Sequence, residues 1–386
     1  MSRIEDLRKF VVPEFVFGVG ARKMTGKYAC NLGIRNPLLV SDPGVVAAGW
    51  LDSIMQSLDA CAIRFTTFTG VSPNPRDSEV MYGAEIYRQN GCDGIVVIGG
   101  GSPIDCAKGI GIIVGNHGDI LAYEGVDTIV NPGPPTICIP TTAGTSADVS
   151  QFAIILDTPN RNKIAIISKM IVPDVALIDP ETTVSMDPFL TACTGLDALT
   201  HAIEALSSNA SSVITDLHAH HAIDLIQRNI LTAIREPDNI DARSNMTLAS
   251  LEAGMAFSNA SLGAVHAMAH SLGGYLDLPH GECNAILLSH VLRFNAPRIQ
   301  PQIGGIAKIF NLESERMSAV ELQRKVPEAI NRLRQECGIP PGLGSLGVKT
   351  ADIPELAGKA LKDPCMLTNP KNANRRDLEV IYEESI

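Results

Sequence analysis

Aromatic side chains are scarce in this chain: 1 Trp, 6 Tyr and 10 Phe make up 4% of 386 residues. Clusters of Lys and Arg are also missing, and 31 basic against 42 acidic residues leave a formal charge of −11. Phosphate backbones are gripped by clustered cations, so nucleic acid is excluded as a main partner. There is no CxxC pair among the 9 cysteines, which argues against a structural zinc site built on thiolates and for reduced, mostly buried thiols. The start, MSRIEDLRKFVVPEF, carries acids and no apolar h-region, so no secretory signal is expected. Nowhere does an apolar run approach the roughly 18 residues of a membrane span. What remains is the expectation of a soluble, cytoplasmic protein. With 45% hydrophobic and 19% charged residues it is a well-packed one, long enough for two domains.

The first half alternates short apolar runs with segments of helical length. PLLVSD (37–42), GIVVIGGG (94–101), TICIPTT (136–142) and VALID (175–179) each look like a buried strand running into a loop. Helical patterns lie between, at 45–58, 76–90 and 102–114. This alternation predicts a parallel, doubly wound sheet covered on both faces. AIILD (153–157) and KIAII (163–167) read as an inserted hairpin. After DPETTVSMDP (179–188) helical patterns follow one another, at 190–207, 214–235, 241–258, 262–276, 284–295 and 319–337. The expected division is an α/β domain over 1–183 and an all-α domain over 184–386.

Three loops at strand ends carry small or polar residues. Gly99, Gly100 and Gly101 let the backbone approach a phosphate, and Ser102 with Pro103 suit the start of a helix whose N–H groups would face it. The pattern is not GxGxxG, and the alternative is a tight turn using glycine for geometry alone. Asp42, ending the strand of PLLVSD, could accept hydrogen bonds from an adenosine ribose and repel a 2′-phosphate, although strand-end aspartates also cap turns. Thr141, Thr142, Thr145 and Ser146, in PTTAGTSADVS, offer hydroxyls to a phosphate, a ribose or an amide.

In TGLDALTHAIEAL (194–206), Asp197, His201 and Glu204 fall on one stripe of a helix. Alone, such a stripe describes a solvated face. Downstream, GAVHAMAHSLGGYLDLPHGECNA places His266 and His270 at i, i+4 and His280 after a Gly-Gly break, among small apolar residues where imidazoles need partners. A carboxylate with several histidines suits a divalent ion such as ferrous iron or zinc. Spacing leaves open whether His266, His270 or both bind it. His218, His220 and His221, in HAHHAI, look like surface residues on different faces.

Taken in order, GGGSPIDCAK, PTTAGT, TGLDALTHAIEA, FSNASLGAVHAMAHSLGGY and HGECNAILLSHV resemble the iron-containing, type III alcohol dehydrogenases, and the resemblance runs from FVFGVGA to LTNPKNANRRDLEVIYEE. It implies a Rossmann-like dinucleotide domain and an all-α domain in a dehydroquinate synthase-like architecture, with the site in the cleft between them. It implies NAD as cofactor and an ion, Fe2+ with Zn2+, Mn2+ or Mg2+ as alternatives, on Asp197, His201, His266 and His280. It makes His270 a residue near nicotinamide and substrate on a proton path. Asp42, Gly99, Gly100, Gly101, Ser102, Thr141, Thr142, Thr145 and Lys163 would hold the cofactor. The implied reaction interconverts small primary alcohols or diols and their aldehydes. The implied assembly is a homodimer or larger homo-oligomer.

The chain departs from the family pattern in two places. GTSADVS (144–150) stands where the family reads GTGSEVT, and Ser289 stands where it has proline. Neither touches a ligand position. Two rivals share the architecture: a transhydrogenase with tightly bound NAD, and a dehydroquinate synthase-like lyase, which would need cations around its phosphorylated substrate. The segments around Asp197, His266 and His280 offer none. Glu204 has no role in the resemblance.

Overall fold

The computed structural model describes residues 8–386; the segment 1–7, on which part of the secretory-signal expectation rests, lies outside them. The chain forms two compact units, one over Val11–Ser185 and one over Met186–Ile386 joined by residues 8–10.

The first unit contains strands β1 (Glu14–Phe17), β2 (Pro37–Val40), β3 (Thr66–Phe68), β4 (Gly94–Gly99), β5 (Gly125–Val126), β6 (Thr136–Pro140), β7 (Phe152–Asp157), β8 (Asn162–Ile167) and β9 (Val175–Ile178). Its helices are α1 (Thr25–Asn31), α2 (Pro43–Ala47), α3 (Trp50–Asp59), α4 (Asp77–Gln89) and α5 (Gly101–Asn116). Six strands make one sheet in the order β1-β9-β6-β4-β2-β3, every pair parallel. Both faces of that sheet are core. Leu38, Val40, Ile95, Val97 and Cys138 pack on one side, and Leu39, Val96, Ile98, Ile137 and Ile139 on the other. Successive residues alternate faces, so a strand covered on both sides must be apolar throughout. From β2 the chain goes to β3 on one side and then to β4 on the other. The direction of winding therefore reverses between β2 and β4, and the crevice beyond their carboxyl ends is where such sheets bind ligands. The hairpin of β7 and β8 is antiparallel and builds a second sheet with β5.

The pattern at 45–58 predicts one helix where there are two. Gly49 stands between them at φ +78°, a left-handed conformation that ends α2 and starts α3 at an angle.

The second unit is helical: α6 (Pro188–Ser207), α7 (Val213–Arg235), α8 (Ile240–Ala260), α9 (Ala264–Leu276), α10 (His280–Asn295), α11 (Gln300–Ile309), α12 (Ala319–Glu336), α13 (Ile353–Ala360) and α14 (Arg375–Ser385). Helix α6 packs against α7, α8 and α10, and every residue from Thr191 to Ser207 is buried. A helix surrounded on all sides has no solvated face, so the polar stripe of Asp197, His201 and Glu204 is interior. The Gly-Gly pair does not break the chain. Gly273 and Gly274 lie buried inside α9, where packing outweighs the roughly 1 kcal/mol helix cost of glycine. The helix stops at Asp277, φ +55°, and α10 starts at His280, a turn earlier than the pattern at 284–295 predicts. Ser289 lies within α10; proline there would remove a hydrogen bond, so the departure lets the helix run unbroken.

Candidate functional site

Within the helical unit the donor groups converge. Asp197, His201 and His266 each offer an atom within 4.8 Å of the others', and all three are buried. His280 joins them from the first position of α10, its Nε2 3.9 Å from Asp197 Oδ1, while His266 Nε2 is 3.8 Å from the same oxygen. The His266 ring stacks on His201 with centroids 4.5 Å apart, and Phe257 backs His201 at 4.3 Å. Ring faces are thus held by packing, leaving the nitrogens to point along fixed directions.

Asn284 lies one turn after His280 on α10, with its side chain inside the cluster. Its Nδ2 is 2.7 Å from Asp197 Oδ1 and 3.1 Å from both His266 Nε2 and His280 Nε2. Three acceptor atoms around one amide nitrogen, which carries two hydrogens, make a locus rich in lone pairs. Such a donor set, three imidazoles and a carboxylate of which all but His280 are buried, fits a divalent ion of borderline softness.

Glu204 is 6% exposed and therefore not a surface residue. Its Oε2 lies 2.7 Å from His266 Nδ1 and accepts from the Gly263 N–H at 3.0 Å, and its Oε1 accepts from the Val265 N–H at 2.7 Å. Burial pushes its carboxyl up to about 7, against the pull of those backbone N–H groups and of His201.

His270, one turn after His266, meets a different partner. Its Nδ1 is 2.8 Å from Asp363 Oδ2, and its ring stacks on His280 at 5.2 Å with an interplanar angle of 15°. Asp363 also accepts from the Cys365 N–H. Burial would raise this carboxyl, but the His270 ring and that N–H hold it below the usual carboxylate range. His270, Asp363 and Cys365 form a second group of potential ligand atoms within 4.8 Å. Of the HAHHAI histidines, His218 and His221, at i, i+3, share a face and both reach Glu252, while His220 lies on another face against Gly305.

In the α/β unit the three loops meet at the strand ends. A Cβ on Gly99 would lie 3.4 Å from Asp42 Oδ2, one on Gly100 3.1 Å from Thr142 Cγ2, and one on Gly101 2.8 Å from Thr145 Cγ2. The glycines therefore let the Asp42, Gly99–Gly101 and Thr141–Thr145 loops close on one another at the β2/β4 reversal. Helix α5 begins at Gly101, ahead of the expected Ser102–Pro103 start, and its N-cap is Gly100. Glycine supplies no side chain to cap the first turn, so the N–H groups of a 16-residue helix are presented to a ligand. Asp42 caps α2, its Oδ1 accepting from the Val45 N–H at 3.0 Å. Ser146 adopts φ +50°, left-handed, where the family pattern has glycine. Lys163 lies in the other sheet, on β8 across from Leu156.

Asn284, Asp363 and Cys365 were not singled out by sequence. The i, i+4 spacing of His280 and Asn284 was a usable signal for the first. Nothing local marks Asp363, which is 93 positions from His270.

Comparison with known proteins gives the family. A family model described as iron-containing alcohol dehydrogenase matches residues 13–180, and one described as the C-terminal part of the Fe-containing alcohol dehydrogenase family matches 191–386. The chain is 41% identical over 379 residues to 1,3-propanediol dehydrogenase of Klebsiella pneumoniae, covering 97% of this chain and 98% of that one. It is 38% identical over 368 residues to lactaldehyde reductase of Escherichia coli, covering 95% and 96%. A crystal structure of 1,3-propanediol oxidoreductase superposes with a TM-score of 0.96 at 40% identity, covering 99% and 100%. Among the described residues no helix is long and apolar enough to cross a membrane. The chain belongs to the iron-containing alcohol dehydrogenase family and is an oxidoreductase that interconverts alcohols and aldehydes with NAD and a divalent metal ion as cofactors.

Proposed function

We propose that Asp197, His201, His266 and His280 hold the ion, and that the substrates are small primary alcohols or diols. The observation that carries the ligand set is the convergence of Asp197 Oδ1, His266 Nε2 and His280 Nε2 on one point, with His201 stacked beside it. Ferrous iron is the ion that the family is named for; Zn2+, Mn2+ or Mg2+ would meet the same donors. When bound, the ion supplies Lewis-acid stabilisation of charge on the alcohol oxygen, and NAD accepts the hydride.

The chain's own residues supply positioning and a route for the proton. Asp42 takes the adenosine ribose and disfavours a 2′-phosphate, which selects NAD over NADP. The first turn of α5 takes the pyrophosphate, with Gly99, Gly100, Gly101 and Ser102 allowing close approach. Thr141, Thr142 and Thr145 present hydroxyls from the facing loop, and Lys163 is assigned to a cofactor ribose on the family resemblance alone. His270, with Nδ1 committed to Asp363, keeps Nε2 to pass the proton. Few aromatics in the chain, and relatives named for 1,3-propanediol and lactaldehyde, support a small aliphatic substrate.

Elemental analysis of His266→Ala tests the ligand set: bound metal should fall while the circular dichroism spectrum is kept, and undiminished metal would overturn it. An NADH absorbance assay across alcohols and diols with each metal tests the substrate class, and a preference for long-chain or aromatic alcohols would overturn it. A homo-oligomer is supported by β1, an edge strand among the described residues, whose Phe15 and Phe17 are 39% and 37% exposed. A cytoplasmic location is supported by nine free thiols.

A further inference from the structure

A histidine ligand has two nitrogens, and the bond made by one decides what the other presents to an ion. His266 resolves this at both ends of its ring. Its Nδ1 lies 2.7 Å from Glu204 Oε2, and its Nε2 lies 3.1 Å from the Asn284 amide nitrogen. With Nδ1–H donating to the carboxylate, Nε2 carries the lone pair, and the Asn284 N–H donates to it. Both contacts require the same tautomer.

The carboxylate is itself pinned. It accepts from the N–H groups of Gly263, Val265 and His266 at 3.0, 2.7 and 3.4 Å, at the first turn of α9. A Cβ on Gly263 would lie 2.9 Å from Glu204 Oε1, so the backbone is bare where the carboxylate presses against it. Glu204 also stands on α6, three residues after His201 and seven after Asp197. One side chain therefore ties the start of α9 to the helix carrying two proposed ligands, and sets the ring of a third.

We propose that Glu204 is a positioning residue of the metal centre: it fixes His266 in the Nδ1–H tautomer and aims Nε2 at the ion. This rests on the ligand set proposed above. The competing explanation is that Glu204 only caps α9. The two separate in Glu204→Gln. An amide oxygen still accepts from the α9 N–H groups, but the amide N–H2 can donate to Nδ1 and admit the opposite tautomer, which turns an Nε2–H toward the site.

The test measures Zn2+ binding by chelator competition, together with the melting temperature of the metal-free protein, for wild type, Glu204→Gln and His266→Ala. The expected result is a dissociation constant for Zn2+ raised on the order of 10- to 100-fold in Glu204→Gln with metal-free melting close to wild type. A lowered melting temperature with unchanged Zn2+ affinity would make Glu204 a cap and overturn the proposal. If His266→Ala binds Zn2+ as wild type does, the ligand set itself fails and the proposal with it. If only Glu204→Gln binds normally, the ligand set stands and the role of Glu204 falls. Should Glu204→Gln not fold, wild type decides: nitrogen-15 spectra of histidine-labelled, Zn2+-loaded protein, with His266 assigned by its loss in His266→Ala, should show protonated Nδ1. A protonated Nε2 would overturn it.

Discussion

His270 Nδ1 lies 2.8 Å from Asp363 Oδ2 in the helical unit, and its ring is stacked on that of His280. An imidazole with one nitrogen held by a carboxylate and its face held by another ring keeps a fixed direction for the second nitrogen. Asp363→Asn keeps an acceptor for the Cys365 N–H but loses the charge facing His270. The expected outcome is a kcat lowered on the order of 10- to 100-fold, an altered pH profile and full metal content. His270→Ala should likewise keep its metal and lose rate. Metal loss in both variants, read by elemental analysis, would place His270 and Asp363 among the ligands instead.

Asp42 is set at the end of β2, and its Oδ2 faces the Cα of Gly99 on the neighbouring strand. A carboxylate there repels a 2′-phosphate by ordinary Coulomb interaction. Asp42→Gly removes the charge at little structural cost, since glycine replaces an aspartate N-cap for a few tenths of a kcal/mol. The ratio of kcat/KM for NADP to that for NAD should rise on the order of 10-fold. Steady-state rates with both nucleotides check this, and an unchanged ratio removes Asp42 from the ribose site.

Gly101 opens α5 against Thr145, where a Cβ would come within 2.8 Å of Cγ2 and 3.0 Å of Oγ1. Gly101→Val must push the two loops apart where the pyrophosphate is assigned. KM for NAD should rise by about 10-fold or more while metal content stays at the wild-type level, because the proposed metal ligands all belong to the other unit. Steady-state rates over a range of NAD concentrations provide the measurement.

The strands of the parallel sheet were legible because a strand covered on both faces has to be apolar throughout, as GIVVIG at 94–99 is. The start of α10 was not, since His280 and Gly281 look like loop residues until packing places them on a helix beneath Asn284. The stripe of α6 was half legible. Asp197 and His201 gained meaning from histidines quoted later in the chain, whereas Glu204 stayed unexplained because its partner atom, His266 Nδ1, lies 62 positions away. Periodicity marks which side chains share a face; it carries no information about which distant nitrogen that face will meet. Gly49 was missed for a different reason, since a left-handed residue inside an apolar period leaves the period itself intact.

Asp148, where the family pattern has glutamate, is 5% exposed beside the buried ammonium of Lys108, which donates to the carbonyls of Ser150 and Phe152. Burial pushes its carboxyl up to about 6, against the pull of a backbone N–H and of Lys108. In the unfolded chain the group titrates near 3.8. Between those values the folded state holds a proton that the unfolded state has released, so the contribution of Asp148 to stability is full below about pH 4 and is lost as pH rises through 6. A gap of roughly two pKa units corresponds to about 3 kcal/mol at most. Asp148→Asn removes the titration and keeps the shape. In urea unfolding of metal-free protein, the stability of the variant relative to wild type should increase from about pH 4.5 to about pH 6.5 and then level off. A difference that stays flat over that interval would mean that Lys108 keeps Asp148 ionised throughout, making the pair a buried ion pair whose charge the fold accommodates at every pH tested.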